Sequence, residues 1–209
     1  MQKDENSIIR EVRDLLYCTD VHKINILKIA QRIGIPVQDL LSIAPTPEVL
    51  VSKVFQYELI EFSSIFDEYN FENQNAIDIL IIVGQEIYSR FHDVNPAVSY
   101  HLKENYKNLY CTHLENKINF LTTRIINNLK KGQAQGIYKD GLDSDTIINS
   151  FVEKVSKIHD HDLLNKNELT FEIIFNNLIE DFIKDITHKD GWDYYKNRKQ
   201  LIETLNFNH

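Results

Sequence analysis

The sequence is poor in residues that interrupt helices, with six glycines and four prolines in 209 residues. Apolar residues make up 43% of the chain and aromatic residues 11%, which is enough for a packed core and argues against general disorder. Because Leu, Ile, Lys, Glu and Asn are common while Gly and Pro are scarce, the composition favours a mostly helical protein. The length allows one medium domain or a small head with a larger body.

Several functional signatures are also missing. The strongest apolar run, 77–83, contains Asp78 and is too short to span a bilayer, and the polar N-terminus has no signal-peptide core. Cys18 and Cys111 are far apart without metal-site spacing, which predicts free thiols in a reducing cytoplasm. No phosphate-binding glycine loop or nucleophile motif is present. We therefore expect a cytoplasmic protein that is not an enzyme and has no cofactor, metal or membrane segment.

The stretch 29–50 predicts two short helices joined by a glycine turn and followed by a third helix. Gly34 follows an apolar stripe of helical spacing and can adopt the left-handed conformation that stops a helix. Pro36 suits the first turn of the next helix, and Thr46 with Pro47 suits the N-cap and first residue of the third. Two short helices joined in this way are a helix-turn-helix, whose second helix can enter the DNA major groove.

Residues 8–59 also match a pattern known from one protein family. The pattern consists of a first helix, a turn with the residues I-A-x-x-x-G, a recognition helix and a long fourth helix. The matching residues are Ile29, Ala30, Gly34, Ile35, Leu40, Thr46, Glu48 and Leu50. On these residues the segment resembles the DNA-binding domain of TetR-family transcriptional regulators. Where the family has recognition-helix aromatics and then a lysine, this chain has Leu41, Ile43, Ala44 and Pro47. The resemblance implies an all-α fold of about nine to ten helices, with a head over 1–46 and an effector-binding, dimerising body over 47–209.

Two later segments extend the resemblance into the body. Residues 95–110 are similar to the family's N-P-x-x-x-x-D-L-x-K-Y-Y segment, with His101 in place of the acid, and a long helix is expected to continue to about Lys131. Residues 132–142, KGQAQGIYKDGL with the preceding lysine, are similar to its R-G-x-x-x-G-x-[YF]-R-x-D-[IL] loop. The chain is therefore expected to follow the family layout well beyond its head.

The resemblance implies a homodimer that binds double-stranded operator DNA through the recognition helix. The residues expected to contact bases or phosphates are Val37, Gln38, Ser42, Thr46, Lys23, Lys28 and Lys53. Seven basic and seven acidic residues lie between Met1 and Phe55, and no Lys or Arg lies between Val37 and Val51. DNA-reading domains are normally basic on one face, because phosphate contacts supply much of the affinity. The alternative is therefore a helical dimer whose degenerate head does not bind DNA, and which binds a ligand or a protein partner.

A small organic effector is expected in the body, between walls that are apolar with a few polar groups. The candidate pocket residues are Tyr88, Tyr100, Tyr106, Tyr110, His113 and Phe120. The alternative for most of them is ordinary core packing, with two or three facing a cavity. Gly84 lies inside the apolar segment 76–91. A glycine destabilises a helix by about 1 kcal/mol relative to alanine, and the close approach of a neighbouring helix would explain its presence there.

Two apolar stripes near the C-terminus are compatible with the dimer interface that the resemblance implies, within helices over 145–159 and 168–187. The interface candidates are Ile147, Phe151, Val155, Phe171, Phe175, Leu178 and Phe182. A two-fold interface needs such a self-complementary face. The same stripes could instead fill the core of a single chain.

His159, Asp160, His161 and Asp162 form the one cluster with metal-binding chemistry. Alternating ligands in a loop do not by themselves make a closed site, so a solvated loop between helices is expected. A metal-dependent enzyme that uses this loop is the third class of function, and it predicts stoichiometric metal in the purified protein.

Overall fold

A computed structural model of the protein describes residues 3–18, 24–92, 96–156 and 171–206, and within these ranges the chain is all-helical. The described ranges contain ten helices: α1 (Glu5–Cys18), α2 (Ile26–Arg32), α3 (Val37–Ile43), α4 (Pro47–Glu68), α5 (Ala76–Phe91), α6 (Pro96–Asn105), α7 (Lys107–Ala134), α8 (Ser144–Ser156), α9 (Phe171–Ile186) and α10 (Lys189–Asn206). The predicted all-α fold is confirmed. None of these described helices is long and apolar enough to cross a membrane.

Side-chain caps and one left-handed glycine determine the shape of the head. The Asn25 side chain accepts a hydrogen bond from the Lys28 amide and caps α2, and Thr46 caps α4 in the same way. Gly34 has a φ of +71°, which ends α2 and lets α3 begin three residues later. The helix α2 packs against α3, and α1 packs against α4. The predicted helix-turn-helix is confirmed, with all of its signals local in the sequence.

The long helix expected to continue from the 95–110 segment is divided in the structure. Tyr106 has a φ of −132° and a ψ of 44°, which are not helical, so α6 ends at Asn105 and α7 begins at Lys107. The Asn105 side chain donates a hydrogen bond to the His101 carbonyl oxygen at 2.8 Å. A side-chain amide that binds a carbonyl of the last turn competes with continuation of the helix.

The glycine-containing loop after α7 ties three helices together. Gly136, with a φ of +70°, turns the chain away from the end of α7. The buried Tyr138 ring lies directly on Gly132, where an added Cβ would be only 2.1 Å from a ring carbon. The Tyr138 hydroxyl donates to Asn128 Oδ1 at 2.7 Å, and the Asn128 amide donates to the Ala76 carbonyl oxygen at 2.9 Å. These contacts fix the start of α5 against the end of α7.

Two hydrophobic clusters divide the interior, and the first does not stop at the head. It runs from α1–α3 across α4 to side chains of α5, α6 and α7. The second joins α5 and the C-terminal half of α7 to α8, α9 and α10. The helix-turn-helix therefore shares apolar packing with the body through α4.

Gly84 in α5 faces a neighbouring helix, α9, as expected, but the contact is not close enough to require a glycine. A Cβ added to Gly84 would meet Ile179 Cγ1 at 3.8 Å, which is ordinary van der Waals contact. An alanine would therefore fit at this position. The space beside Gly84 belongs instead to the cavities described below.

Candidate functional site

The outer face of α3 carries the polar residues that were expected to face DNA bases. Gln38 and Ser42 are exposed, Val37 is partly buried, and Leu40 and Ala44 are buried against the rest of the head. Since Gln38 and Ser42 are four residues apart, they lie on the same side of the helix. The Ser42 hydroxyl donates to the Asp39 carbonyl oxygen at 2.7 Å, so Gln38 is the freer of the two for base contacts.

The cations around α3 differ in their availability. Lys28 and Arg32 on α2 are exposed, and Arg32 is an additional candidate that the family pattern did not indicate. Lys53 on α4 forms an ion pair with Glu5 on α1, which reduces the positive charge it offers to a phosphate. Lys23 lies outside the described residues. The head therefore presents few unneutralised cations within the part that the structure describes.

Thr46 has a structural task as well as the expected phosphate contact. Its hydroxyl oxygen accepts a hydrogen bond from the Val49 amide at 3.3 Å and caps α4. A hydroxyl accepts and donates at the same time, so its proton remains able to reach a phosphate oxygen.

A buried carboxylate joins the head to the body. Glu58 on α4 is only 3% exposed, and its Oε2 lies 3.0 Å from Nε2 of His113 on α7. Its Oε1 lies 3.5 Å from Nε of Arg13 on α1, which is itself buried. Arg13 also donates to the Arg90 carbonyl oxygen near the end of α5. Four helices therefore meet around this group, which we call the Glu58 junction and which comprises Arg13, Tyr17, Glu58, His113 and Lys117.

The surroundings of Glu58 keep it ionised. Burial raises its pKa, but this is outweighed by the hydrogen bond to His113, the nearby charges of Lys117 and His113, and the hydrogen bond from Tyr17, which together lower the pKa to about 2. Burial lowers the pKa of Lys117, and the charge of Glu58 opposes that effect. The Lys117 ammonium also lies 5.2 Å from the ring centre of Phe91 on α5. The junction thus holds opposite charges out of water, on helices from both the head and the body.

Sequence reasoning missed Glu58, although a signal was present. Val54, Phe55 and Phe62 are apolar and buried along α4, and Glu58 occupies the same face at helical spacing. A carboxylate on an otherwise apolar face needs a partner, because an unpaired buried charge is costly. The partners themselves come from α1 and α7 and could not be read locally.

The structure does not bring the six expected pocket residues into one cavity. His113 stacks on Phe55 with ring centres 4.3 Å apart, and Tyr110 meets the same ring edge-on at 6.2 Å. Phe120 packs edge-on against Phe66 at 5.3 Å. Tyr100 is 52% exposed, and Tyr106 forms the break between α6 and α7. Of the six, Tyr88 lines an open cleft.

Two adjoining cavities lie in the body. The first, which we call the outer cleft, has a volume of about 260 Å³ between α5, α9 and α10. Its polar lining consists of Gln85, Tyr88, Glu172, Asn176, Tyr195 and Lys199. The second, which we call the inner cavity, has about 60 Å³ and is almost entirely apolar, with walls from α4, α5, α7, α8 and α9. Gly84 and Ile179 border both spaces.

The expected dimer-interface residues are mostly buried within the chain itself. Phe151, Phe175, Leu178 and Phe182 belong to the second hydrophobic cluster, and Ile147 is partly buried against it. Val155 is also partly buried against this cluster, and the Phe171 side chain lies outside the described part. A groove of about 280 Å³ between α8 and α9 is lined by Ile147, Phe151, Leu178 and Phe182 among others. These four side chains can therefore be reached from the surface of α8 and α9.

The His159–Asp162 cluster lies outside the described residues. Among the residues that the structure describes, no group of three or more His, Cys, Asp or Glu side chains is arranged to hold a metal ion. The described exposed cysteine is Cys111 on α7.

Solved structures resemble this chain over most of its length. A transcriptional regulator from Cytophaga hutchinsonii superimposes with a TM-score of 0.67 at 17% identity, covering 87% of this chain and 97% of that one. A TetR transcription regulator from Haloarcula marismortui gives a TM-score of 0.67 at 15% identity, covering 88% and 98%. The chain has the TetR fold. A putative transcriptional regulator from Saccharomonospora viridis, in complex with choline, gives a TM-score of 0.55 at 16% identity, covering 87% and 96%.

No family model matches the chain, and no curated protein matches it in sequence. At such low identities the comparisons show the shared TetR-like arrangement of helices, and a fold by itself does not assign roles to individual side chains.

Proposed function

We propose that the protein is a homodimeric transcriptional regulator that binds operator DNA through α3 and is modulated by a small organic effector in its body. The observation that carries the proposal is the exposed polar face of α3, with Gln38 and Ser42, on a helix-turn-helix within a TetR-like fold. The head, 1–46, acts as the DNA-binding unit, and 47–209 acts as the effector-binding and dimerising unit.

The exposed face of α3 and the cations near it support the following DNA contacts. Gln38 offers an amide that can form a bidentate contact with adenine, and Val37 offers an apolar contact to a thymine methyl group. Ser42 and Thr46 add hydroxyls, and Lys28 adds a phosphate contact from α2. Lys53 and Lys23 complete the phosphate set. Because one of these cations is paired with Glu5, we expect weaker non-specific binding than a strongly basic head provides.

The Glu58 junction supplies the connection from effector to DNA. It links α1 of the head to α4 and α7, and α4 shares its first hydrophobic cluster with α5, α6 and α7. An effector that prefers one tilt of α4 therefore biases the position of the head. Such a population shift requires different effector affinities in the two states.

Fluorescence anisotropy with a labelled fragment from the promoter beside the protein's own gene tests this proposal. We expect the anisotropy to rise as the protein binds, with an affinity that falls steeply as the salt concentration increases. The Gln38→Ala variant should bind the fragment with roughly tenfold to hundredfold lower affinity. Asn197→Ala, an exposed amide on α10, is the matched control and should bind as the unmodified protein does.

The same assay distinguishes the proposed regulator from a second candidate function. Scattering shows whether the protein is a folded dimer. If such a dimer binds no DNA at low salt, the helix-turn-helix is a degenerate head. The function is then that of a dimer that binds a ligand or a protein partner. The Lys53–Glu5 pair and the absence of Lys and Arg from α3 are the observations that favour this outcome.

A further inference from the structure

The two cavities of the body are separated by very little. On the α5 side the boundary is Gly84, which has no side chain, and on the α9 side it is Ile179. Ile179 Cγ1 would lie 3.8 Å from a Cβ on Gly84, so a single aliphatic side chain forms the partition. A change of rotamer at Ile179 is a smaller rearrangement than a shift of either helix.

The inner cavity has the chemistry of a site for a short alkyl chain. Leu80, Val83 and Leu121 are among the side chains that form its apolar walls. The polar groups at its edge are engaged, because the Asn128 amide bonds to Tyr138 and Ala76. At about 60 Å³ it is well below the roughly 150 Å³ that holds benzene in an engineered apolar cavity. Its size favours a linear tail over a ring.

Arg124 lines the inner cavity but does not make it polar. Its guanidinium carbon lies 4.8 Å from the ring centre of Phe66 and 4.9 Å from that of Phe120, so the cation is held between two aromatic faces. The inner cavity therefore offers apolar contact and has almost no polar surface.

The outer cleft has the chemistry of a site for a polar group without negative charge. Its two charged side chains have opposite signs and are both engaged. Lys199 forms an ion pair with Glu180 at 2.8 Å, and Glu172 is hydrogen-bonded to Tyr88. Gln85 and Asn176 add amides that both donate and accept hydrogen bonds. A hydrogen bond from the neutral Tyr88 hydroxyl does not neutralise the negative charge of Glu172, and Lys199 is already paired, so the cleft disfavours an anionic ligand.

We infer that the effector is an amphiphile without negative charge whose hydrogen-bonding head occupies the outer cleft and whose short linear tail passes between Gly84 and Ile179 into the inner cavity. The inference rests on the proposed effector role of the body, but it does not depend on DNA binding. The tail reaches helices α4 and α7, which form the Glu58 junction, so the same ligand contacts elements that carry the head.

The protein carries its own reporter for this site. Trp192 is its single tryptophan, and it stacks on Tyr195, a lining residue of the outer cleft, with ring centres 5.4 Å apart. A ligand in the cleft changes the surroundings of Tyr195 and hence the emission of Trp192. Tryptophan fluorescence of the full chain, without DNA, therefore measures occupancy directly.

A homologous series of 1-alkanols, from 1-butanol to 1-decanol, is the probe. Each methylene that enters the inner cavity should tighten binding about fourfold until the cavity is full, after which the gain stops. An alkanoate of the best chain length should bind at least about tenfold more weakly, because its carboxylate would be desolvated beside Glu172 while Lys199 is already paired.

Substitutions at the partition distinguish this site from binding elsewhere. Gly84→Leu fills the passage and should weaken binding of the best alkanol at least about tenfold, whereas Gly84→Ala fits at 3.8 Å and should change it less than about threefold. Ile179→Ala widens the passage and should extend the length series to longer tails, which decides the question if Gly84→Leu does not fold.

Three results would overturn the inference: affinity independent of chain length, equal affinity for the alkanoate and the alkanol, or unchanged binding after both Gly84→Leu and Ile179→Ala. Operator binding is measured separately. Loss of the alkanol result with DNA binding retained would reject the ligand class alone, and the reverse would reject the regulator alone.

Discussion

Glu58 is the residue whose environment differs most from that of a surface carboxylate. Its pKa is about 2 although the side chain is buried, because His113 and Tyr17 are hydrogen-bonded to it and Lys117 lies nearby. Glu58→Gln removes the carboxylate beside buried Arg13 and beside Lys117, although Arg13 keeps its contact with Asp14. Removing one partner of a buried ion pair typically costs about 3–5 kcal/mol of unfolding free energy. Urea unfolding at neutral pH measures this loss, with exposed Glu115→Gln on α7 as the control.

The same residue predicts a dependence of stability on pH. The folded pKa of Glu58 is about 2, below its ordinary value of 4.5, so the unfolded state binds more protons between these two pH values. The stabilisation is therefore complete above about pH 4.5 and is lost as the pH falls towards 2. Unfolding midpoints measured across this acid range should fall less steeply for Glu58→Gln. Equal slopes for the variant and the unmodified protein would show that another group governs acid unfolding.

Two glycines differ strongly in the room available for a side chain, and they provide a matched pair of alanine substitutions. A Cβ on Gly132 would lie 2.1 Å from the Tyr138 ring, while a Cβ on Gly84 would lie 3.8 Å from Ile179. Gly132→Ala should therefore cost about 1–3 kcal/mol or more through displacement of Tyr138. Gly84→Ala should be neutral or stabilising by up to about 1 kcal/mol, since alanine is the better helix former. Thermal unfolding of both variants checks the pair, and similar midpoints would contradict the described position of Tyr138.

At the scale of elements, the contact between α1 and α4 governs the charge that the head offers to DNA. Lys53 on α4 is paired with Glu5 on α1. Glu5→Gln releases Lys53, which should strengthen binding to any DNA sequence and steepen the plot of log affinity against log salt by about one unit. Anisotropy at several salt concentrations measures both quantities, and Glu115→Gln again changes the net charge equally without touching the head. Identical behaviour of the two variants would place Lys53 away from the DNA.

Helix α4 is the element through which the other contacts act. It packs against α1, α5 and α7, and it carries Thr46 at its start and Glu58 near its middle. Its N-terminal cap lies beside α3, and its interior holds a buried ion pair with α1 and α7. Under the proposed function, α4 is therefore the element that would connect effector binding with DNA binding.

At the scale of the whole molecule, the proposed dimer depends on the groove between α8 and α9. Ile147 lines this groove and is partly buried in the single chain, so a partner could cover the rest of it. Ile147→Glu should weaken self-association roughly thirtyfold or more, because a central apolar contact is replaced by a charge. Sedimentation at a series of protein concentrations measures this. Ile60→Glu, at an exposed position on α4, is the control and should leave association unchanged.

If Ile147→Glu associates as the unmodified protein does, the α8–α9 groove is not the interface. The stripes of Phe151, Phe175, Leu178 and Phe182 would then serve the core alone, as their burial in the single chain already allows.

The sequence by itself determined the helices and the turns between them. The N-caps Asn25 and Thr46, the left-handed Gly34 and the apolar spacing of each helix act over one or two turns of chain, so their effects can be read locally. For the same reason the helix-turn-helix and the bounds of α5 agreed with prediction, whereas the break between α6 and α7 at Tyr106 was not predicted.

Only the tertiary structure decided how these helices share their side chains. The partners of Glu58 come from α1 and α7. The Tyr138 ring lies so close to residue 132 that only glycine fits there, and the space beside Gly84 becomes part of a cavity. An apolar stripe has the same periodicity whether it faces its own chain, a second copy or a ligand, because spacing records which face is buried and not what covers it. The covering surface is set by contacts between residues that are far apart in the chain.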